Sequence, residues 1–172
     1  MPVNINHYPA IKKHLDKHYE QLRIRTDKGE TPYNLRNCAY MEDFFRPKIA
    51  WGNLNLKAAY TIVPEGVFLN APCPIIVPAD KYLLAVLNSK LADYFIRSLG
   101  VTRNGGYFEY KPMFIEQLPV PFISEETQVK FDELIAQKIL LKDSKELDEE
   151  IEKLIYTIYE LSIDEIKFIE SQ

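Results

Sequence analysis

The sequence predicts an α+β fold: a mixed or antiparallel sheet flanked by helices over residues 1–123, followed by an acidic C-terminal helical hairpin over residues 124–172. Three observations carry this reading. Short β-branched and aromatic runs, broken by Asn, Gly and Pro, fill the stretch from Leu35 to Pro78. Apolar residues at three- and four-residue spacing mark helices on both sides of it. The charge also divides: residues 1–123 hold 15 Lys/Arg against 11 Asp/Glu, a net +4, and residues 124–172 hold 6 against 14, a net −8.

Taken in order, His7 to Arg25 predicts a helix, with Tyr8, Ile11, Leu15, Tyr19 and Leu22 on one side. Thr26 to Pro32 is a polar, turn-rich loop. Lys48–Trp51, Ala59–Val63, Val67–Leu69 and Pro74–Val77 predict strands. Asp80 to Leu99 predicts a helix that Asp80 can cap, with Leu83, Leu84, Leu87 and Leu91 in its apolar face. Gly100 to Gly106 is a permissive loop. Two prolines in Leu118-Pro-Val-Pro-Phe122 exclude a helix interior or central strand and predict a rigid crossover. Ser124 starts a helix running to about Lys142, and a second runs from about Lys145 to Leu161. Ser162-Ile-Asp-Glu165 has the spacing of a capping box and opens a last short helix.

The composition, 47% hydrophobic and 27% charged over 172 residues, is that of a globular domain. The first residues carry neither the basic nor the apolar region of a signal peptide, and no apolar stretch is long enough to span a bilayer. The expected compartment is the cytoplasm. Cys38 and Cys73 are too few for a disulfide framework or a zinc site, and each is expected to be a small buried hydrophobe.

Several patterns imitate catalytic motifs. Asp93 with Glu109-Tyr110-Lys111 has the outline of a metal-dependent nuclease. However, Asp93 falls in a predicted helix, so solvated charges with a DNA contact from Lys111 are the preferred reading. Asn70-Ala71-Pro72-Cys73 approaches the motif by which DNA amino-methyltransferases hold a flipped base. It lacks one proline and the aromatic that stacks on the base. His14 and His18 share a helix face but have no third ligand, and they read as surface residues with His7. Gly105-Gly106 follows a helix, the wrong order for a nucleotide cradle. No catalytic or metal-binding residue is assigned.

Basic, amide and aromatic residues concentrate in loops. One cluster is Arg23, Arg25, Lys28, Tyr33, Arg36 and Asn37; a second is Asn53, Asn55 and Lys57; a third is Arg103, Asn104, Tyr107 and Lys111. Arg and Lys suit guanine edges, Asn suits adenine, and Tyr and Lys suit phosphates. Loops are polar in any protein, so composition alone does not decide for DNA.

Pro32-Tyr-Asn-Leu-Arg36, Phe44-Phe-Arg-Pro-Lys-Ile-Ala-Trp51, Leu83-Leu-Ala-Val-Leu-Asn-Ser-Lys-Leu91 and Phe114-Ile-Glu-Gln-Leu-Pro-Val-Pro121, in this order and spacing, resemble the TaqI-like C-terminal specificity domain. That domain occurs in type IIG restriction-modification enzymes and adenine-specific DNA methyltransferases. The tail segment Ile158 to Glu165 is similar to the ending common after such domains. It places Glu160 where glycine is usual, which puts a tight turn there in question.

The resemblance implies a non-catalytic domain that reads double-stranded DNA and holds a target adenine for a catalytic domain of the same polypeptide. S-adenosylmethionine and Mg are then expected only in methyltransferase and nuclease domains upstream, and the acidic helices are expected to pack on or span to the catalytic domain. The DNA-contacting residues expected on loop chemistry are Arg25, Lys28, Tyr33, Arg36, Asn53, Asn55, Lys57, Arg103, Asn104, Tyr107 and Lys111. Two alternatives stay open: a fragment of a type I restriction specificity subunit, which shares the Leu-Asn-Ser-Lys and proline features, and a protein-interaction module that binds no DNA.

Overall fold

Among the described residues, five short strands form two antiparallel sheets: β1 (Lys48–Ala50), β2 (Leu54–Asn55), β3 (Thr61–Val63), β4 (Ile75–Ile76) and β5 (Phe108–Glu109). The structure is a computed structural model that describes residues 3–141 and 144–172. The chain divides into two compact units, residues 1–41 and 42–172.

In the first unit the single helix expected over His7–Arg25 is broken. It consists of α1 (Pro9–Leu15), a 3-10 turn over Asp16–His18 and α2 (Tyr19–Ile24). The break coincides with a contact to a residue outside the helix. Asp16 turns its carboxylate to Lys12 Nζ at 2.8 Å and to the Tyr33 hydroxyl at 2.6 Å, and His18 leaves helical geometry at φ −116°, ψ 15°. Beyond α2, residues 25–37 form a loop closed by a bridge between Lys28 and Leu35, with the Gly29 amide donating to Asn34 O at 3.1 Å.

The second unit is built around β1. This strand lies between β3 and β4, pairing Ile49 with Ile62 on one side and with Ile76 on the other, and all three of its residues are buried. One of them is Lys48. Its ammonium donates to the carbonyls of Phe44, Arg46 and Pro64 at 3.1, 3.0 and 2.9 Å, so a buried charge is matched by three acceptors. The strand expected at Val67–Leu69 is absent. Gly66, at φ +75°, turns the chain and donates to Phe44 O at 2.9 Å. Phe68 then stacks on Phe44 with ring centroids 4.9 Å apart instead of entering the sheet.

The helix expected over Asp80–Leu99 is two helices, α3 (Lys81–Leu87) and α4 (Lys90–Leu99). Asp80 caps α3 through the Leu83 amide at 2.6 Å, as its position predicts, and Ser89 caps α4 through the Ala92 amide at 3.1 Å. Asn88, at the joint, copies a strand partner. Its Oδ1 accepts from the Tyr60 amide and its Nδ2 donates to the Tyr60 carbonyl, both at 3.0 Å. The bend therefore provides the bonds that an extended segment beside β3 would otherwise lack. A one-turn helix, α5 (Pro112–Ile115), follows β5 and was not expected from the sequence.

The acidic segment forms α6 (Glu125–Leu141), α7 (Lys145–Ile158) and α8 (Ile163–Glu170); the expected end of the first of these at Lys142 lies outside the described residues. Phe131, Ile135, Ile151 and Ile155 join one core cluster with Ile49, Trp51 and Tyr82, and Tyr82 meets Phe131 ring to ring at 4.9 Å. The crossover that carries the chain into α6 is held by two tyrosines: Tyr159 donates to Pro119 O at 2.7 Å and Tyr82 to Pro121 O at 3.0 Å. The capping box at Ser162 and Glu165 forms as its spacing predicts.

The turn in question at Glu160 also forms. Glu160 adopts φ +53°, with its amide bonded to Thr157 O at 3.1 Å and that of Leu161 to Tyr156 O at 3.0 Å, a Schellman end made without glycine. The two cysteines differ from expectation: Cys73 is exposed and Cys38 only partly buried. No helix among the described residues is long and apolar enough to cross a membrane.

Candidate nucleic-acid interface

The second and third polar clusters are brought together by one structure, the β2–β5 ribbon. Asn55 pairs with Phe108, and Leu54 with Glu109. The ribbon is fastened to the body on both sides: the Trp51 indole donates to Tyr110 O at 2.6 Å, and the Tyr110 amide to Asn53 O at 2.8 Å. Between α4 and β5 the chain turns through Arg103–Tyr107. The Arg103 amide bonds to Tyr107 O at 2.7 Å, and Gly105 and Gly106 sit at φ +81° and +79°, where a Cβ would be strained. This requirement for two left-handed residues accounts for the glycine pair, which serves a turn and not a nucleotide cradle.

Glu109 organises the loop. It is 4% exposed and accepts from Lys111 Nζ at 3.0 Å and from Arg103 Nε at 2.7 Å, with a second guanidinium nitrogen of Arg103 on the same oxygen. The Lys111 and Arg103 bonds hold its carboxyl below the usual carboxylate range. The expectation of solvated charges at Asp93 and Glu109 is therefore corrected. Asp93 is also a scaffold group: it accepts from the Ala58 amide at 2.8 Å, from Arg97 at 3.2 Å and from the Tyr110 hydroxyl. Arg97 in turn lies over the Phe108 ring, 3.9 Å from its centroid. Among the described residues no group of three or more His, Cys, Asp or Glu is arranged to hold a metal ion.

The ribbon sorts its expected DNA contacts. Arg103, Asn104 and Tyr107 are exposed, and Lys111 is partly exposed on the same loop system. Asn55 is less available, because its Nδ2 is spent on Gly52 O at 2.9 Å. Asn53 Oδ1 is buried and has no hydrogen-bond partner among the described residues. Lys57 is exposed and borders a cleft of about 1230 Å³ whose other walls include Asp93 of α4 and Glu152 of α7. Leu54 and Leu56, 51% and 58% exposed, stand out on the ribbon although sequence reasoning passed over them. No local pattern marks them, because β2 is only two residues long and Leu56 lies in the bend that follows it.

In the first unit, most of the expected contacts serve the loop itself. Arg25 Nη2 donates to Asn34 O at 2.6 Å, and its Nε lies 3.0 Å from Asp27. Lys28 Nζ caps Arg23 O at 2.6 Å, and Tyr33 bonds Asp16. Arg36 is exposed and has no such bond among the described residues. His14 and His18 are exposed, with ring centroids 5.5 Å apart.

The family model of the TaqI-like C-terminal specificity domain matches residues 3–120. No curated protein matches the chain.

Proposed function

The chain belongs to the family of TaqI-like C-terminal specificity domains, and on that premise we propose that it is the target-recognition part of a type IIG-like N6-adenine methyltransferase and endonuclease. DNA recognition in a restriction-modification context is the role of the family; the adenine-specific reaction and the type II assembly are the finer reading offered here. In this reading the chain grips duplex DNA from the major-groove side and holds the target adenine for a catalytic domain to flip. Methyl transfer and cleavage, with their S-adenosylmethionine and Mg, belong to that other part of the polypeptide.

The observation that carries the reading is the Arg103–Lys111 pair. Both cations converge on one buried carboxylate and remain partly open to solvent, with relative side-chain exposures of 53% and 40%. One carboxylate neutralises only one of the two charges. The pair is thus oriented by the fold and keeps a net positive charge to offer a phosphate or a guanine edge.

The test is the salt dependence of duplex binding, measured by fluorescence anisotropy on duplexes enriched from a randomised library. Arg103→Ala and Lys111→Ala are each expected to weaken binding and to reduce the slope of log K against log salt by about 0.9 for every phosphate no longer neutralised. Association that is independent of salt and unchanged in both variants would reject DNA as the ligand and leave a protein-interaction module.

A further inference from the structure

We propose that Leu54, Leu56 and Tyr107 form an apolar edge on the β2–β5 ribbon that packs against thymine 5-methyl groups in the major groove; this rests on duplex DNA being the ligand, as proposed above. The geometry comes from the strand register. Leu54 is paired with Glu109, so their side chains lie on one face of the ribbon, and Asn55 and Phe108 lie on the other. Leu56 and Tyr107 flank the paired residues, Leu56 in the bend that follows β2 and Tyr107 just before β5, and they are 58% and 42% exposed. This end of the ribbon thus carries three solvent-exposed apolar or aromatic groups on the same short ladder as Glu109, which fixes the Arg103 and Lys111 cations.

The opposite face cannot take this role, since Phe108 is covered by Arg97 and Asn55 is bonded to Gly52 O. Charge selects the occupant. An apolar strip flanked by two oriented cations complements a polyanion that also offers apolar groups. In the major groove, which is wide enough for a two-stranded ribbon, the thymine methyl is the apolar feature of the base edges.

The experiment uses the full chain and a duplex that it enriches from a randomised library. That duplex is remade with deoxyuridine in place of thymidine at one position at a time, which removes a methyl and leaves the pairing edge intact. At one or more positions the wild-type chain is expected to lose about fourfold in affinity, the effect of one buried methyl. The double variant Leu54→Ala/Leu56→Ala is expected to bind the two duplexes alike. Both leucines are exposed, and a retained salt slope in the double variant confirms that the loop cations are still placed.

Indifference of the wild-type chain to every deoxyuridine would overturn the apolar edge, as would undiminished discrimination by the double variant. If Arg103→Ala and Lys111→Ala still weaken binding in that case, only the edge fails and the DNA reading stands. If neither variant matters, or no duplex is enriched, both fail together.

Discussion

The Lys111 ammonium donates to Glu109 Oε1 at 3.0 Å, across the buried Tyr110 that separates the two residues in sequence. This bond and the Arg103 bonds to the same oxygen explain why a carboxylate is tolerated in the middle of a cationic loop. Without it, two positive side chains would repel each other, and neither would have a fixed direction. Glu109→Gln is therefore expected to loosen both cations and weaken DNA binding, although it removes a negative charge that a simple charge count says should hinder it. Anisotropy titration distinguishes the two outcomes by sign.

The same pair sets a pH dependence. The folded-state pKa of Glu109 is lowered, first by the Lys111 hydrogen bond and then by Arg103. A depressed carboxylate contributes stability that is present above its unfolded pKa and is lost as pH falls through the folded value. Thermal melts should therefore show wild type above Glu109→Gln at neutral pH, with the gap closing as the solution is acidified below the usual carboxylate range. A gap that persists at low pH would mean the substitution acts through packing instead.

Asn88 gives a test of the joint between α3 and α4. Asn88→Ala leaves the Tyr60 amide and carbonyl without their 3.0 Å partners in a partly buried position. The expected cost is about 2 kcal/mol, from polar groups left unsatisfied and not from weakened packing. Asn88→Asp keeps the acceptor but sets a carboxylate against the Tyr60 carbonyl, so it should not rescue. A urea midpoint for Asn88→Asp equal to that of wild type would refute this account.

Features with a local cause were legible in the sequence. The Asp80 and Ser162 caps depend on residues within a few positions, and the β1 run and the two crossover prolines carry their signal in local residue type; each is found where expected. What sequence missed depends on distant partners. The helix break at Asp16 needs Tyr33, which lies outside that periodic pattern, and the absent strand at Val67–Leu69 depends on Phe44 offering a ring to Phe68. At the candidate interface, residue types were readable but strand parity was not. The pairing of Leu54 with Glu109 decides which side chains share a face, and no local pattern announces a two-residue strand.

Glu160 isolates a backbone effect. It occupies the left-handed position of the α7 C-terminus at φ +53°, is exposed, and takes part in no ion pair among the described residues. Glu160→Gly removes the Cβ clash at a position where the Schellman bonds already fix the chain. The variant is expected to gain about 1 kcal/mol, since the left-handed region costs an L-residue roughly that much. A rise in melting temperature with unchanged DNA affinity is the signature; a fall would show that the added freedom of glycine in the unfolded chain outweighs the relieved strain.

Lys48 tests what a buried charge does for this fold. It sits at the first position of the central strand, wholly buried, and draws the carbonyls of Phe44, Arg46 and Pro64 to one point. These three carbonyls come from the segment entering β1 and the segment leaving β3, so the ammonium ties together two chain paths that strand pairing alone leaves free. Lys48→Met keeps the length and apolar stem but removes the donor to the Arg46 and Pro64 carbonyls, while Phe44 O keeps the Gly66 amide, and it is expected to cost about 3 kcal/mol. Lys48→Arg keeps the charge but spreads its donors over a plane, so it cannot present three bonds from one atom and should fall between the two. The order wild type, Arg, Met in urea midpoint, with unchanged denaturant slope, is the expected result. If Met matched wild type, the three bonds would contribute nothing net, and the stem of Lys48 would be acting only as a buried hydrophobe.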